Sequence, residues 1–184
     1  MRPAPTRRPD RPDPAARAGA ARSLAAAVVA VLAVTAGCEP DLCLYEDGVA
    51  ALELGTGQQS FAPLHDGDSV PYVRGIQGGT HLEGALRASG LAQPAEPALH
   101  AEQLPTISFT LHDEVGSEIG GYHELPRAFA GASDELELLG ELVIFAEDAS
   151  SRVGHTLALR ATVRDQCGAS ATDGASFVLA APDT

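Results

Sequence analysis

Lysine is missing from this chain altogether, which removes Schiff-base chemistry and any phosphate-gripping Walker lysine from consideration. Tryptophan is missing too, and with three Tyr and five Phe the aromatics make up only 4% of the residues. A core must then be built from Leu, Val, Ile and Phe, with abundant Ala and Gly allowing close backbone approach. That composition suits a thin-cored sheet structure better than a deep ligand cavity. The sole Met is the initiator, which excludes thioether-rich copper sites. No CxxC pair, helical HExxH or GxSxG elbow occurs, so zinc-ribbon, zincin and nucleophile-elbow chemistry lack their signatures. No apolar run is long enough to span a bilayer: residues 24–36 would make a helix of about 20 Å against a hydrocarbon layer of about 30 Å.

What stands in the first fifth of the chain is a segment with Arg2, Arg7, Arg8, Arg11, Arg17 and Arg22, then that apolar stretch, then Val34, Thr35, Ala36, Gly37 and Cys38. A basic region, an apolar core and small residues before a cleavage point form an export signal. With the cysteine directly after, the segment resembles a bacterial lipoprotein signal. The resemblance implies cleavage before Cys38 and lipidation of Cys38 as the new N-terminus, so that residues 1–37 are the signal, 38–48 a lipidated cysteine with a short tether, and 49–184 the folded domain. It implies a cell-envelope location, with a membrane reached through the lipid. An ordinary secretory signal with an incidental cysteine is the alternative, and both readings export the protein.

Removal of residues 1–37, which hold six Arg against two Asp, leaves 6 basic and 23 acidic residues, a net charge of −17 with His neutral. Such an excess repels nucleic acid and anionic headgroups, so no nucleic-acid partner is expected. The 147 residues from Cys38 onward are enough for one domain with a real core. With Cys38 lipidated, Cys43 and Cys167 remain in an oxidising compartment and are expected to pair; two separate buried thiols are the alternative.

Along this part of the chain the dominant period is two. Ile107, Phe109 and Leu111 alternate with hydroxyls over 106–111, and Leu157, Leu159, Ala161 and Val163 alternate with polar residues over 156–164. A turn at Asp173 and Gly174 before Phe177, Val178 and Leu179 predicts a closing hairpin with Cys167 near its bend. Residues 136–145 read as a central strand, and 49–54, 60–64, 70–74, 81–88 and 118–122 as further strands. Residues 92–105 carry Pro94, Pro97 and Pro105 and read as a long crossover. The pattern predicts an all-β Greek-key sandwich of about seven or eight strands, preceded by a signal-peptide helix. In architecture it resembles immunoglobulin and fibronectin type III modules.

The stretch Gly75, Ile76, Gln77, Gly78, Gly79, Thr80, His81 predicts a tight turn running into a strand. It resembles a motif of small envelope lipoproteins, which brings no activity with it. On that strand His81, Glu83, Ala85 and Arg87 share one face. His81 and Glu83 are candidates for a metal or proton-handling pair, weighed against a solvated outer face, which is the commoner use of such residues. His65, His100, His112, His123 and His155 have no ligand spacing. Paired carboxylates at Asp66 and Asp68, Asp113 and Glu114, Glu147 and Asp148, and Asp165 and Asp173 suit either calcium or turn formation. Residues 55–60 approach a dinucleotide loop, but Ser60 and the following Phe61, Ala62, Pro63 cannot open a helix. The expectation is a noncatalytic, lipid-anchored envelope protein without a cofactor, presenting its sandwich for interaction or structure, with an envelope protein as a conceivable partner. A metal-binding envelope protein is the alternative, and a hydrolase a third.

Overall fold

Strict alternation of apolar and polar residues produces sheets with one buried face, and two such faces must close on each other. The computed structural model describes residues 42–45, 49–132 and 134–182. Cys38 and the signal expected over 1–37 lie outside the described residues. The strands in chain order are β1 (Ala51–Thr56), β2 (Ala62–Pro63), β3 (Ser69–Pro71), β4 (Val73–Arg74), β5 (Thr80–Ser89), β6 (Thr106–His112), β7 (Glu118–Pro126), β8 (Ala130–Ala132), β9 (Glu135–Ile144), β10 (Thr156–Arg164) and β11 (Ser170–Ala180). Seven of these have six or more residues, and the other four have two or three. One sheet runs β2-β1-β5-β9-β8, with β4 also on β5, and the other runs β3-β11-β10-β6-β7. All pairings are antiparallel except β3 with β11. The fold is an all-β, two-sheet sandwich. Among the described residues no helix is long and apolar enough to cross a membrane.

The core lies between the sheets. Leu54, Leu82, Leu86, Leu136 and Val143 come from one side, and Ile107, Phe109, Leu111, Leu157, Leu159, Val163, Phe177 and Leu179 from the other, all nearly inaccessible. Four of the five Phe are buried; Phe61 instead covers the outer face of the first sheet, its ring 4.5 Å from the Arg87 guanidinium. The thinness predicted by composition has a local cause at Gly84, where a Cβ would come within 3.0 Å of the Phe109 ring. Here glycine makes room for the largest central side chain. At Gly121 (φ +116°) a Cβ would meet the Phe109 carbonyl oxygen at 2.1 Å, so only glycine lets β7 approach β6 this closely.

One expectation is corrected. Asp173 and Gly174 do not turn the chain: they lie within β11, opposite Ala161 and Arg160. The bend of the last hairpin is at Asp165–Ala169, where Asp165 N–H donates to the Ala169 carbonyl at 3.0 Å. Asp173 is tolerated in a strand because its carboxylate points inward and accepts the Leu54 N–H of the opposite sheet at 2.8 Å. Ala85 keeps the face it shares with Arg87, since the pairing with β1 runs unbroken from Ala51–Ser89 to Thr56–Gly84, but it is completely buried there; the register shift opposite it places the extra residue in β9. Within the tether expected over 38–48, Leu42–Tyr45 forms a 3-10 turn.

The long crossover between β5 and β6 carries no strand, as the prolines require. It is fastened by Asp165, a buried carboxylate. One oxygen accepts the Ala92 N–H of the crossover at 2.8 Å, and the other accepts the Cys167 and Ala169 N–H groups of the hairpin, both at 2.9 Å. Removing an acceptor that satisfies three N–H groups in a dry site strands them. Asp165→Ala is expected to destabilise the domain by about 2–4 kcal/mol in urea unfolding. A loss under about 1 kcal/mol would mean water replaces the carboxylate there.

Candidate functional site

The register assigns each connection to one end of the sandwich. At one end lie Ser89, Thr106, Pro126, Arg164 and Ser170, with the crossover and the Asp165–Ala169 bend. Cys43 and Cys167 are joined there in a disulfide, Cα atoms 5.4 Å apart and 124 residues apart in sequence. The pairing expected from the sequence is therefore present. The chain enters the domain at this end, because the covalent link holds the Leu42–Tyr45 turn to the β10–β11 hairpin.

At the other end lie, with the β3–β4 link, the β4–β5 turn, the β6–β7 turn and the segment between β9 and β10 with its Ala149–Arg152 3-10 turn. Thr80 begins the tie. Its hydroxyl donates to the Glu147 carbonyl at 3.4 Å and accepts the Ala149 N–H at 3.1 Å. Arg74 reaches Asp148 at 3.8 Å, Arg152 reaches Asp113 at 3.9 Å and His155 reaches Glu114 at 3.7 Å. Asp148 also caps the short turn by accepting the Ser150 N–H at 3.0 Å. That hydrogen bond, with Arg74 nearby, holds the Asp148 carboxyl below the usual aspartate range. Projecting from this cross-tied frame are Ile76, wholly exposed, Val115 at 84% and Val153 at 41%. Three aliphatic side chains are thus exposed on the connections of this end, which polar ties hold in place.

No protein-family model matches the chain, and no curated protein matches it.

The candidate pair His81 and Glu83 sits on the outer face of β5, half-buried, opposite Ile144 and Leu142 of β9 respectively. No hydrogen bond or ion pair joins the two among the described residues. The other histidines are dispersed: His65 lies 3.5 Å from Asp68, His100 3.9 Å from Glu102, His123 3.1 Å from Glu118 and His155 3.7 Å from Glu114. Among the described residues no group of three or more His, Cys, Asp or Glu could hold a metal ion. Most of the paired carboxylates accept main-chain N–H groups. Asp66 accepts from Ser176 N–H, Asp68 from His65 N–H, and Asp113 from Val115 and Ser117 N–H. Of these three, only Asp113 makes an Asx-type turn contact; Asp68 closes its own turn from behind, and Asp66 fastens the β2–β3 connection to β11.

One cluster has no counterpart in the sequence reading. Glu141, in β9 and 9% exposed, receives the Tyr122 hydroxyl at 2.5 Å on one oxygen and Arg127 Nε at 2.9 Å on the other. The Arg127 guanidinium lies 5.8 Å from the Tyr122 ring centre. Burial first, and the hydrogen bond to Glu141 second, push the Tyr122 phenol well above its ordinary value, so it stays a donor at every physiological pH. The cluster bridges β7 of one sheet to β9 of the other. Its signal was hidden because Gly140 (φ +68°) interrupts the alternation just before Glu141.

Tyr122→Phe should cost about 1.5 kcal/mol, the low end for a hydrogen bond to a charged group, since Arg127 still holds the carboxylate. Glu141→Ala, which leaves both partners unmatched, should cost about 2–3 kcal/mol; Arg127, 36% exposed, keeps part of its hydration, so the loss stays below that of a fully buried pair. Chemical denaturation of the two variants separates these values.

Proposed function

We propose that the chain is a noncatalytic envelope protein, lipid-anchored to a bacterial membrane, whose sandwich serves as an interaction or structural module outside the cytoplasm. The observation that carries the reading is the Cys43–Cys167 bridge. It fixes the point of chain entry at one end of the sandwich, five residues after Cys38, and a five-residue link reaches at most about 15–20 Å. An anchor at Cys38 would hold that end close to the lipid and turn the opposite end, with Ile76, Val115 and Val153, away from it. A disulfide of this kind also suits an oxidising compartment outside the cytoplasm.

We read the sandwich as immunoglobulin-like with Greek-key connections. The order β1-β5-β9-β8 in one sheet and β11-β10-β6-β7 in the other supports this, as does the early strand β3 running parallel to the last strand. The loops at the free end would be the natural contact surface, because aliphatic tips on a braced frame can be buried against a partner at little cost in ordering.

The test is membrane fractionation with mass spectrometry of the N-terminus. The wild-type protein is expected in the membrane fraction with an acylated Cys38. Cys38→Ser is expected to be soluble or held as an uncleaved precursor. Recovery of the wild type from the cytosol with a free thiol at Cys38 would refute the reading.

A further inference from the structure

Six arginines are the only Lys or Arg residues from Cys38 onward. Four are matched by carboxylates: Arg74 by Asp148, Arg87 by Glu53, Glu135 and Glu137, Arg127 by Glu141, and Arg152 by Asp113. Arg160 and Arg164 are not. Both are exposed, and neither has a carboxylate within 4 Å among the described residues. In a chain where acids outnumber bases by 23 to 6 past the signal, this is a local departure.

The two lie on the outer face of β10, four residues and so about 13 Å apart. Arg160 is flanked across the strands by Thr110 and Gly174, and Arg164 by Thr106 and Ser170. Between them Thr162 stands beside Ser108 and Thr172, its hydroxyl 3.0 Å from that of Thr172. No Asp or Glu occupies an outward position of β6, β10 or β11. Four carboxylates, Asp66, Asp113, Glu114 and Asp173, line the depression that Arg160 borders, and each is already engaged: Asp113 and Glu114 by Arg152, His155 and backbone N–H groups, Asp66 by the Ser176 N–H and Asp173 by the Leu54 and Gly174 N–H groups. The result is a row of hydroxyls between two bare guanidiniums, running at the Arg160 end into a depression bordered by engaged carboxylates.

We propose that this face binds an acidic polysaccharide, with sugar carboxylates gripped bidentately by Arg160 and Arg164 and sugar hydroxyls bonded to the Ser and Thr rows between them. The planar guanidinium fork matches a carboxylate geometrically. Hydroxyls that both donate and accept match a polyhydroxyl chain. A polypeptide partner is disfavoured because the face offers no aromatic or large aliphatic pocket, where protein interfaces concentrate their energy. Densely charged polyanions are disfavoured because the net charge of −17 past the signal opposes them and only two guanidiniums are available. Spaced carboxylates meet the patch locally, since at physiological salt charges beyond about 8 Å are screened. The proposal stands apart from the lipid anchor and from the apolar loop end, and neither needs to hold for it.

The test is retention of the purified protein on immobilised polygalacturonate, dextran and polyglutamate at 150 mM salt. Polygalacturonate is expected to retain the wild type and dextran not to. The double variant Arg160→Gln with Arg164→Gln is expected to bind at least tenfold more weakly at unchanged melting temperature. Replacing both by Lys, which keeps charge and loses the fork, is expected to weaken binding several-fold. Thr162→Glu, which places a carboxylate between the two arginines, should also cost at least tenfold, and covers the case of a double variant that fails to fold. No retention on polygalacturonate, equal retention of the variants, equal retention on dextran, or equal or tighter binding to polyglutamate would each overturn the proposal, the last by assigning the face to an acidic polypeptide.

Discussion

Asp165 is the side chain on which the arrangement of the Cys43–Cys167 end turns. Its two oxygens hold one N–H of the β5–β6 crossover and two of the β10–β11 bend, one of them belonging to Cys167. A crossover that changes sheets cannot satisfy its own backbone groups through a ladder, and burying them bare would cost about 1–3 kcal/mol each. A buried carboxylate with three donors solves this while fixing where the disulfide forms. The same device recurs over the molecule. Asp66, Asp68, Asp113, Glu114, Asp148 and Asp173 each accept at least one main-chain N–H. Much of the acidic excess is thus structural punctuation.

The sheet margins follow a second constraint. An open edge invites pairing with another chain, and here the margins are short or broken. The first sheet ends in β2 and β8, of two and three residues, and β2 contains Pro63. The second ends in β3, of three residues with Pro71, and in β7, where Gly121 (φ +116°) and Glu124 (φ +51°) interrupt the backbone and two register shifts distort the pairing with β6. Residues that look like poor strand formers are concentrated where a good strand would be a liability.

The central strands were legible because burial on one face imposes a period of two, and β5, β6 and β10 keep that period almost without interruption. The Cys43–Cys167 bridge was legible by elimination once Cys38 was set aside. Residues 60–64 reduced to a two-residue strand because Phe61 turns outward over Arg87 and leaves the ladder. Asp173 and Gly174 misled because the pair has turn chemistry, whereas the carboxylate is used across the sheets and the glycine gives way to Arg160. The Tyr122, Glu141 and Arg127 cluster depends on how two sheets approach in space, and no spacing along the chain encodes that distance. For His81 and Glu83 the sequence placed both on one strand face; it could not supply the neighbours that would have given the pair a task.

The covalent tie near the start of the domain also sets how the molecule bears load. Tension drawn through the residues before Leu42 meets the Cys43–Cys167 bond before it meets β1, and passes into a hairpin whose strands pair over nine consecutive positions. Strand β1, which would otherwise peel from β5 one residue at a time, lies beyond that bond in the force path and is spared. Reducing the bridge would reverse the order, making the first strand the first to unzip.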